Sequence, residues 1–190
     1  LEARIVAMCD SLTGLYNRSY AETKIPPTLK EEGGALFVID IDNFKAINEN
    51  YGHIAGDYTL KALAEELSAY ATDADVICRV GGDEFILYRR ALTDRTEISL
   101  TARELIRRLT SKIRESRHSS VATVSVGIGI YPQDANTYEM LFDNAAKALY
   151  HVKKSGKNAF SFYSEDEKEN AGIATTTDID QIRHMIEGKA

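Results

Sequence analysis

Apolar positions along this chain change their period several times, and each change marks an element. Residues 34–41, GALFVIDI, are apolar without alternation, the pattern of a strand covered on both faces. DVICRV (75–80) and FILY (85–88) are β-prone runs around GGDE, which predicts two antiparallel strands joined by a tight turn. VATVSVGIGIY (121–131) and NAFSFY (158–163) complete five predicted strands. Helical spacing marks NFKAINENYG (43–52) and DYTLKALAEELSAYA (57–71), where Leu60, Leu63, Ala64 and Leu67 share one face. Two longer amphipathic helices are predicted around 97–115 and over YEMLFDNAAKALYHVKK (138–154), the latter ending at Gly156. An earlier short helix runs to about Lys24, where Pro26 and Pro27 break it. A central hairpin with single crossovers elsewhere predicts an α/β (α+β) sandwich, with a largely antiparallel sheet of about five strands and helices packed on it.

The two ends differ in texture from this middle. LEARIVAMC places Leu1, Ile5 and Met8 near one helical face, and residues 1–9 read as the end of a helix arriving from an upstream domain of a longer protein. From Ser164 the chain turns polar and then small, as linkers do. TDIDQIRHMIEG follows as a capped helix, with Thr177 and Asp180 spaced as a capping box and Ile179, Ile182 and Ile186 on one side. That helix either docks on the domain or leads into another one. The expected division is therefore 1–9, a domain over 10–163, and a tail over 164–190.

With 190 residues, 44% of them hydrophobic and 27% charged, the chain suits one soluble globular domain with a real core. A net charge of -6 argues against a general nucleic-acid or anionic-membrane surface, so any anionic ligand must be held by local charge or a metal ion. The two cysteines, Cys9 and Cys78, make no disulfide framework and fit a reducing cytosol. No apolar run has the length of a membrane span and no signal peptide opens the chain. The domain is expected to be cytoplasmic without membrane contact of its own, although the full-length protein could be anchored.

The chemistry gathers around FVIDID and GGDEF. Asp40 and Asp42 end an apolar strand, where a carboxylate is costly unless hydrogen-bonded, paired or metal-bound. Strand alternation puts both on one face, and if this strand lies beside the hairpin, Asp40 and Asp83 converge. Two close carboxylates repel, and a hard divalent cation, Mg²⁺ before others, relieves that repulsion while leaving sites for phosphate oxygens. The helix starting after Asp42 turns free N–H groups toward the same strand end, with Lys45 in its first turns. Lys153, Lys154 and Lys157 add positive charge around Gly156. Plainer readings stand beside these: GGDEF as a turn with solvated acids, Asp42 as a helix cap, and the lysines as complements of a helix dipole. His53 has no second His or Cys at ligand spacing, which favours a structural role.

Taken together the motifs resemble the GGDEF-domain diguanylate cyclases. DSLTGLYNR (10–18), DIDNFKAINENYGHIAGD (40–57), RVGGDEF (79–85), TVSVGIGIY (123–131) and AAKALYHVKKSGKN (145–158) are similar to that family's blocks, in its order. The resemblance implies a palm-like nucleotide-cyclase fold and a reaction joining two GTP into cyclic di-GMP with release of two pyrophosphates. It implies a homodimer in which each subunit brings one GTP, regulated by an upstream sensory domain. By position it implies a metal site at Asp40, the Ile41 carbonyl and Asp83, with Mg²⁺ or Mn²⁺, up to two ions per dimer site. Asp83 then accepts the 3′-hydroxyl proton and Glu84 is a further ligand in the catalytic pair. Substrate contacts fall at Asn43, Phe44 and Lys45, at Gly81 and Gly82, whose bare backbone admits the nucleotide, and at Asn48 and Asp57 on the guanine edge. Lys153 and Lys157 hold the terminal phosphates.

Three positions depart from the family. Lys157 stands where Arg is usual, a point charge in place of a planar fork. Lys147 stands where the family often has Asp. The product-binding Arg-x-x-Asp before the hairpin reads Thr72, Asp73, Ala74, Asp75, so the inhibitory site is expected to be degenerate, with Thr72 in place of Arg and Asp75 left alone. Besides the cyclase, a catalytically silent GTP-binding regulatory module and a cyclase using ATP remain open. A carboxylate at Asp57 accepts from guanine N1–H and N2–H₂ and offers adenine little, which argues against ATP.

Overall fold

A computed structural model describes residues 8–115 and 122–164. The predicted N-terminal helix falls almost wholly, and the C-terminal linker and capped helix wholly, outside the described residues. The elements in order are β1 (Tyr16–Asn17), α1 (Arg18–Glu32), β2 (Gly34–Ile41), α2 (Phe44–Tyr51), α3 (His53–Tyr70) and β3 (Asp75–Arg79). They continue with β4 (Glu84–Arg90), α4 (Arg95–Arg114), β5 (Val124–Tyr131), α5 (Tyr138–Lys154) and β6 (Phe160–Phe162). The strands form one sheet in the order β1-β3-β4-β2-β5-β6, antiparallel in its middle and parallel at the two edge pairs.

The sheet has six strands, not about five. The extra one, β1, lies in the turn-rich DSLTGLYNR and pairs Tyr16 with Cys78 and Asn17 with Arg79. Two residues cannot show an alternation, so only the neighbouring β3 makes this segment a strand. The second difference is α1, which runs through Pro26 and Pro27 instead of stopping before them. The prolines remove two N–H donors, at a cost of about 3 kcal/mol for a helix interior. Ala21, Ile25 and Leu29, four residues apart, are all buried, and an Ile or Leu side chain taken from water contributes roughly 1.5–3 kcal/mol. Burial of that stripe outweighs the lost bonds.

The unbroken apolar run of β2 serves two cores. Ala35, Phe37, Ile39 and Ile41 pack with α3 and α4, whereas Leu36 and Val38 pack with α1 and α5. In β5 the apolar Val124, Val126, Ile128 and Ile130 all face the first core. Gly127 and Gly129 fall on the other face, where α5 lies so close that a Cβ on Gly127 would overlap the Ala145 carbonyl oxygen. These two glycines set the depth of α5 against the sheet, and thereby the height of its last turn above the end of β2.

Cys78 is buried in β3, and burial pushes its thiol up to about 12, which leaves it unreactive at neutral pH. Among the described residues both cysteines are free and no helix is long and apolar enough to cross a membrane.

Candidate active site

Alternation along β2 decides where its acids go. Asp40 follows Leu36 and Val38 onto the α5 side, where Lys153 from the last turn of α5 meets it. Lys153 Nζ donates to Asp40 Oδ1 and to Asp42 Oδ1, both at 2.7 Å. The expectation that Asp40 and Asp42 share a face is met in this shared ammonium. Asp42, fully buried, also accepts from Ser125 Oγ at 2.8 Å, Thr123 Oγ1 at 2.5 Å and the Asn158 N–H at 3.1 Å. Burial opposes the Asp42 charge, but the bonds from Lys153 and Thr123, the Lys153 charge and Ser125 outweigh it and hold its carboxyl below the ordinary value. Burial opposes the Lys153 charge as well, and the two carboxylates outweigh it and hold its amine above the ordinary value.

Asp42 therefore does not cap α2, the plainer role left open for it. The cap position is Asn43, in the left-handed region at φ 58 and without a side-chain cap bond. Asp42 is drawn away because a buried carboxylate gains more from a cation, two hydroxyls and an amide across the sheet than from one helix N–H.

The hairpin brings the remaining acids to the same strand end. Asp40 stands opposite Glu84 in the β2–β4 register, and the Ile41 N–H donates to the Asp83 carbonyl at 3.4 Å. Asp83 and Glu84 are both buried, which rules out the solvated-acid reading of the turn. Neither Gly81 nor Gly82 takes a positive φ. The turn does not need glycine for its backbone, so what the pair supplies is a surface without side chains.

Arg79 and Asp10 were missed in the sequence, and both act on this turn. The Arg79 guanidinium donates to the Gly82 carbonyl from Nε at 3.1 Å and Nη2 at 2.7 Å, and from Nη1 to Asp10 Oδ1 at 3.0 Å. Burial opposes the Asp10 charge, yet the Thr13 hydroxyl and amide together with Arg79 hold its carboxyl below the ordinary value. A charged arginine two residues before a glycine pair was the available signal. Arg79→Met is expected to loosen the turn: amide hydrogen exchange at 81–84 should accelerate, and stability should fall by about 1.5–3 kcal/mol, the scale of hydrogen bonds to a charged group. Unchanged exchange would show that the turn holds itself.

On the other side of the strand end, α2 and α3 approach closely. A Cβ on Gly56 would overlap Asn48 Oδ1 and press on the Phe44 ring, so this glycine, also missed, lets Asn48 lie against α3 next to Asp57. Asn48 is half-buried and Asp57 exposed, as a base-reading pair open to a ligand would be. Lys45 does not turn to the strand end; it pairs with Glu49 at 3.4 Å on the exposed face of α2. His53 is exposed in the first turn of α3.

Lys157 donates to Asn43 Oδ1 at 2.6 Å, bridging the loop after α5 to the start of α2. Gly156, Lys157 and Asn158 all have positive φ, an uncommon run that the Asn158 N–H anchors on Asp42 and on Ser125 Oγ. Lys147 donates to Asn144, and nothing in the structure explains its exchange for Asp.

Asp75, the acid left at the expected product site, is committed to another task. Asp75 Oδ1 and Oδ2 accept from Arg89 Nε at 3.0 Å and Nη2 at 2.7 Å, the Thr72 N–H donates to Oδ2 at 2.9 Å, and the Asp75 side chain is 1% exposed. Arg89 in turn lies over the Tyr70 ring at 5.1 Å. Calorimetry with cyclic di-GMP is expected to show no tight binding that depends on Asp75, and tight binding lost in Asp75→Ala would restore the inhibitory site.

The donors at this strand end, the Asp40, Asp83 and Glu84 carboxylates and the Ile41 carbonyl, are hard oxygens of the kind Mg²⁺ or Mn²⁺ takes. Among the described residues no three His, Cys, Asp or Glu side chains are drawn into a ready-made metal cluster. Lys153 neutralises Asp40 and Asp42 instead.

Comparison with known proteins places this geometry. Residues 7–159 match the family model described as "Diguanylate cyclase, GGDEF domain". The bifunctional diguanylate cyclase/cyclic di-GMP phosphodiesterase MucR of Pseudomonas aeruginosa is 34% identical over 171 residues, which are 87% of this chain and 25% of MucR. The diguanylate cyclase TpbB of the same species is 33% identical over 156 residues, 79% of this chain and 36% of TpbB. The chain thus spans about a quarter to a third of these relatives' length. The crystal structure of the GGDEF domain of DgcB from Caulobacter crescentus in complex with c-di-GMP superposes with a TM-score of 0.76 at 25% identity, over 84% of this chain and 94% of that one. Matched over residues 7–159, the chain belongs to the GGDEF-domain family of diguanylate cyclases.

Proposed function

We propose that this domain, residues 10–163, is an active diguanylate cyclase: it condenses two GTP into cyclic di-GMP across a homodimer and releases two pyrophosphates. The observation that carries this reading is the register of Asp40 against Glu84, with the Asp83 carbonyl bonded to the Ile41 N–H. Asp40, Asp42, Asp83 and Glu84 all lie at this strand end, beside a helix start and Lys153, an arrangement that a bare structural turn does not require. Bound Mg²⁺ or Mn²⁺ would be held by Asp40, the Ile41 carbonyl and Asp83, with Glu84 beside them, and would supply charge neutralisation at the phosphates.

The chain's own residues divide the remaining work. Asp83 takes the proton from the 3′-hydroxyl as its oxygen bonds to the α-phosphorus of the other nucleotide. The bond from that phosphorus to the β-phosphate bridging oxygen breaks, and pyrophosphate leaves with the electron pair. Gly81 and Gly82 let the triphosphate approach the turn. Phe44 and Asn43 border the helix start, while Lys153 and Lys157 take the terminal phosphates. Asn48 and Asp57 read guanine, and a site built on such hydrogen bonds rejects adenine strongly. One half-site brings one nucleotide, so a second copy of the chain must face the first. Upstream sensory input in the full-length protein would control that pairing, in the cytosol, where GTP is available.

The test is direct. Concentrated protein with GTP and Mg²⁺ is expected to yield cyclic di-GMP and pyrophosphate, identified by chromatography and mass spectrometry, with specific activity rising with protein concentration. No product, even when the chain is fused to a dimerising coiled coil, would overturn the cyclase reading and leave a GTP-binding regulatory module.

A further inference from the structure

The ammonium of Lys153 stands where the proposed reaction needs two different partners for one residue. It is bonded to Asp40 and Asp42 at 2.7 Å each, yet the same side chain is expected to hold phosphate. We propose that Lys153 is a displaceable internal cation that keeps Asp40 from taking a divalent ion until a triphosphate draws the ammonium away, so that metal and nucleotide bind as one coupled event. This inference rests on the assignment of Asp40 to the metal.

The two carboxylates under Lys153 are held differently. Asp42 is fully buried and tied to Thr123, Ser125 and Asn158 as well as to the lysine, so it stays where it is. Asp40 is partly exposed, its side chain at 22%, at the open end of β2. A divalent ion on Asp40 would have to share the carboxylate with the ammonium on Oδ1, and two cations a few ångströms apart repel strongly in a half-buried site. Lys153 can swing out: it sits in the last turn of α5, on a four-carbon stem with its side chain 22% exposed, and Asp42 keeps the Thr123, Ser125 and Asn158 donors when the ammonium moves. A triphosphate at the start of α2 offers it a stronger set of anions nearby. Lys157, bonded to Asn43, marks the same region. Because one ammonium serves both anion sets, metal and nucleotide must raise each other's affinity by the same factor.

The coupling is read without turnover, by titrating Mn²⁺ and following the free ion's electron paramagnetic resonance signal. Wild type is expected to bind Mn²⁺ weakly alone and, after subtraction of the Mn²⁺ that the analogue takes up without protein, at least about tenfold more tightly with a nonhydrolysable GTP analogue, within the usual range of coupling between sites. Lys153→Met should bind Mn²⁺ alone about tenfold more tightly than wild type, and the protein-dependent gain from nucleotide should be smaller than in wild type. Lys153→Arg should keep the wild-type pattern, because charge is retained. Adding Asp40→Asn to Lys153→Met should remove the gained affinity. Thermal melting checks each variant, and Lys153→Gln carries the test if Lys153→Met does not fold. Mn²⁺ affinity unchanged in the uncharged variants, or already tight in wild type without nucleotide, would overturn the proposal. The cyclase reading fails separately: wild type that makes no cyclic di-GMP but shows the Lys153 pattern sinks that reading alone.

Discussion

Asp83→Ala is expected to abolish cyclic di-GMP formation while the domain stays folded. Asp83 is assigned both a metal contact and the 3′-hydroxyl proton, and loss of a positioned base alone typically costs about 10²–10⁴-fold. Removing a ligand from the same place adds to that, so turnover should fall below detection in a chromatographic assay. Fold retention is expected because the Asp83 backbone makes the turn's contact with β2: its carbonyl, which the substitution leaves intact, accepts from the Ile41 N–H. The measurement pairs product formation with a melting curve. Product at near wild-type rate in a folded Asp83→Ala protein would remove Asp83 from the proton transfer.

Asp42→Ala is expected to produce the opposite pattern, a large loss of stability. Asp42 is 0% exposed and is bonded at once to Lys153, Thr123 and Ser125 and to the Asn158 N–H. Truncation leaves the Thr123, Ser125 and Asn158 donors without their acceptor and takes from Lys153 one of its two carboxylates, Asp40 remaining, which together cost roughly 3–5 kcal/mol. For a domain of this size that corresponds to a melting temperature lower by roughly 6–20 °C. Activity should fall as well, because the β2 end, the start of β5 and the loop after α5 lose their common anchor.

The same pair sets a pH signature. The Asp42 carboxyl is held below its ordinary value, so its stabilisation is present above about pH 4 and is lost as pH falls through the depressed value. The Lys153 amine is held above its ordinary value, so its contribution is complete below about pH 10 and is lost as pH rises through the raised one. Wild type should therefore lose part of its stability at both extremes, and Asp42→Ala should flatten the acid limb and reduce the alkaline one, where Asp40 still holds Lys153. A melting-temperature profile of unchanged shape in Asp42→Ala would show that Asp42 contributes through packing alone.

Much of the molecule could be read from local pattern. The β2 run, the apolar face of α3 at Leu60, Leu63, Ala64 and Leu67, and the hairpin around GGDE each carry their signal within one element, because side-chain periodicity is a property of the local backbone. The acids were legible for a related reason: Asp40 and Asp83 each end a strand-like run, and a carboxylate in such a place needs a partner.

What local pattern could not settle was who that partner is. Asp42 and Lys153 are 111 residues apart, and Arg79 reaches Asp10 across 69. The first pair exists only after β2, β5 and α5 have stacked, at a depth set by Gly127 and Gly129, and the second only after β1 has paired with β3. Tertiary packing also reversed two local expectations. It carried α1 through two prolines because a buried stripe outweighed two missing donors, and it took Asp42 from its helix because buried charge seeks the strongest available counter-charge. The chain's own residue order thus specified the elements, the strand-end acids and the bare turn. Only the folded sheet decided that those acids hold an ammonium and that an arginine from β3 pins the turn, since both depend on distances that sequence spacing does not contain.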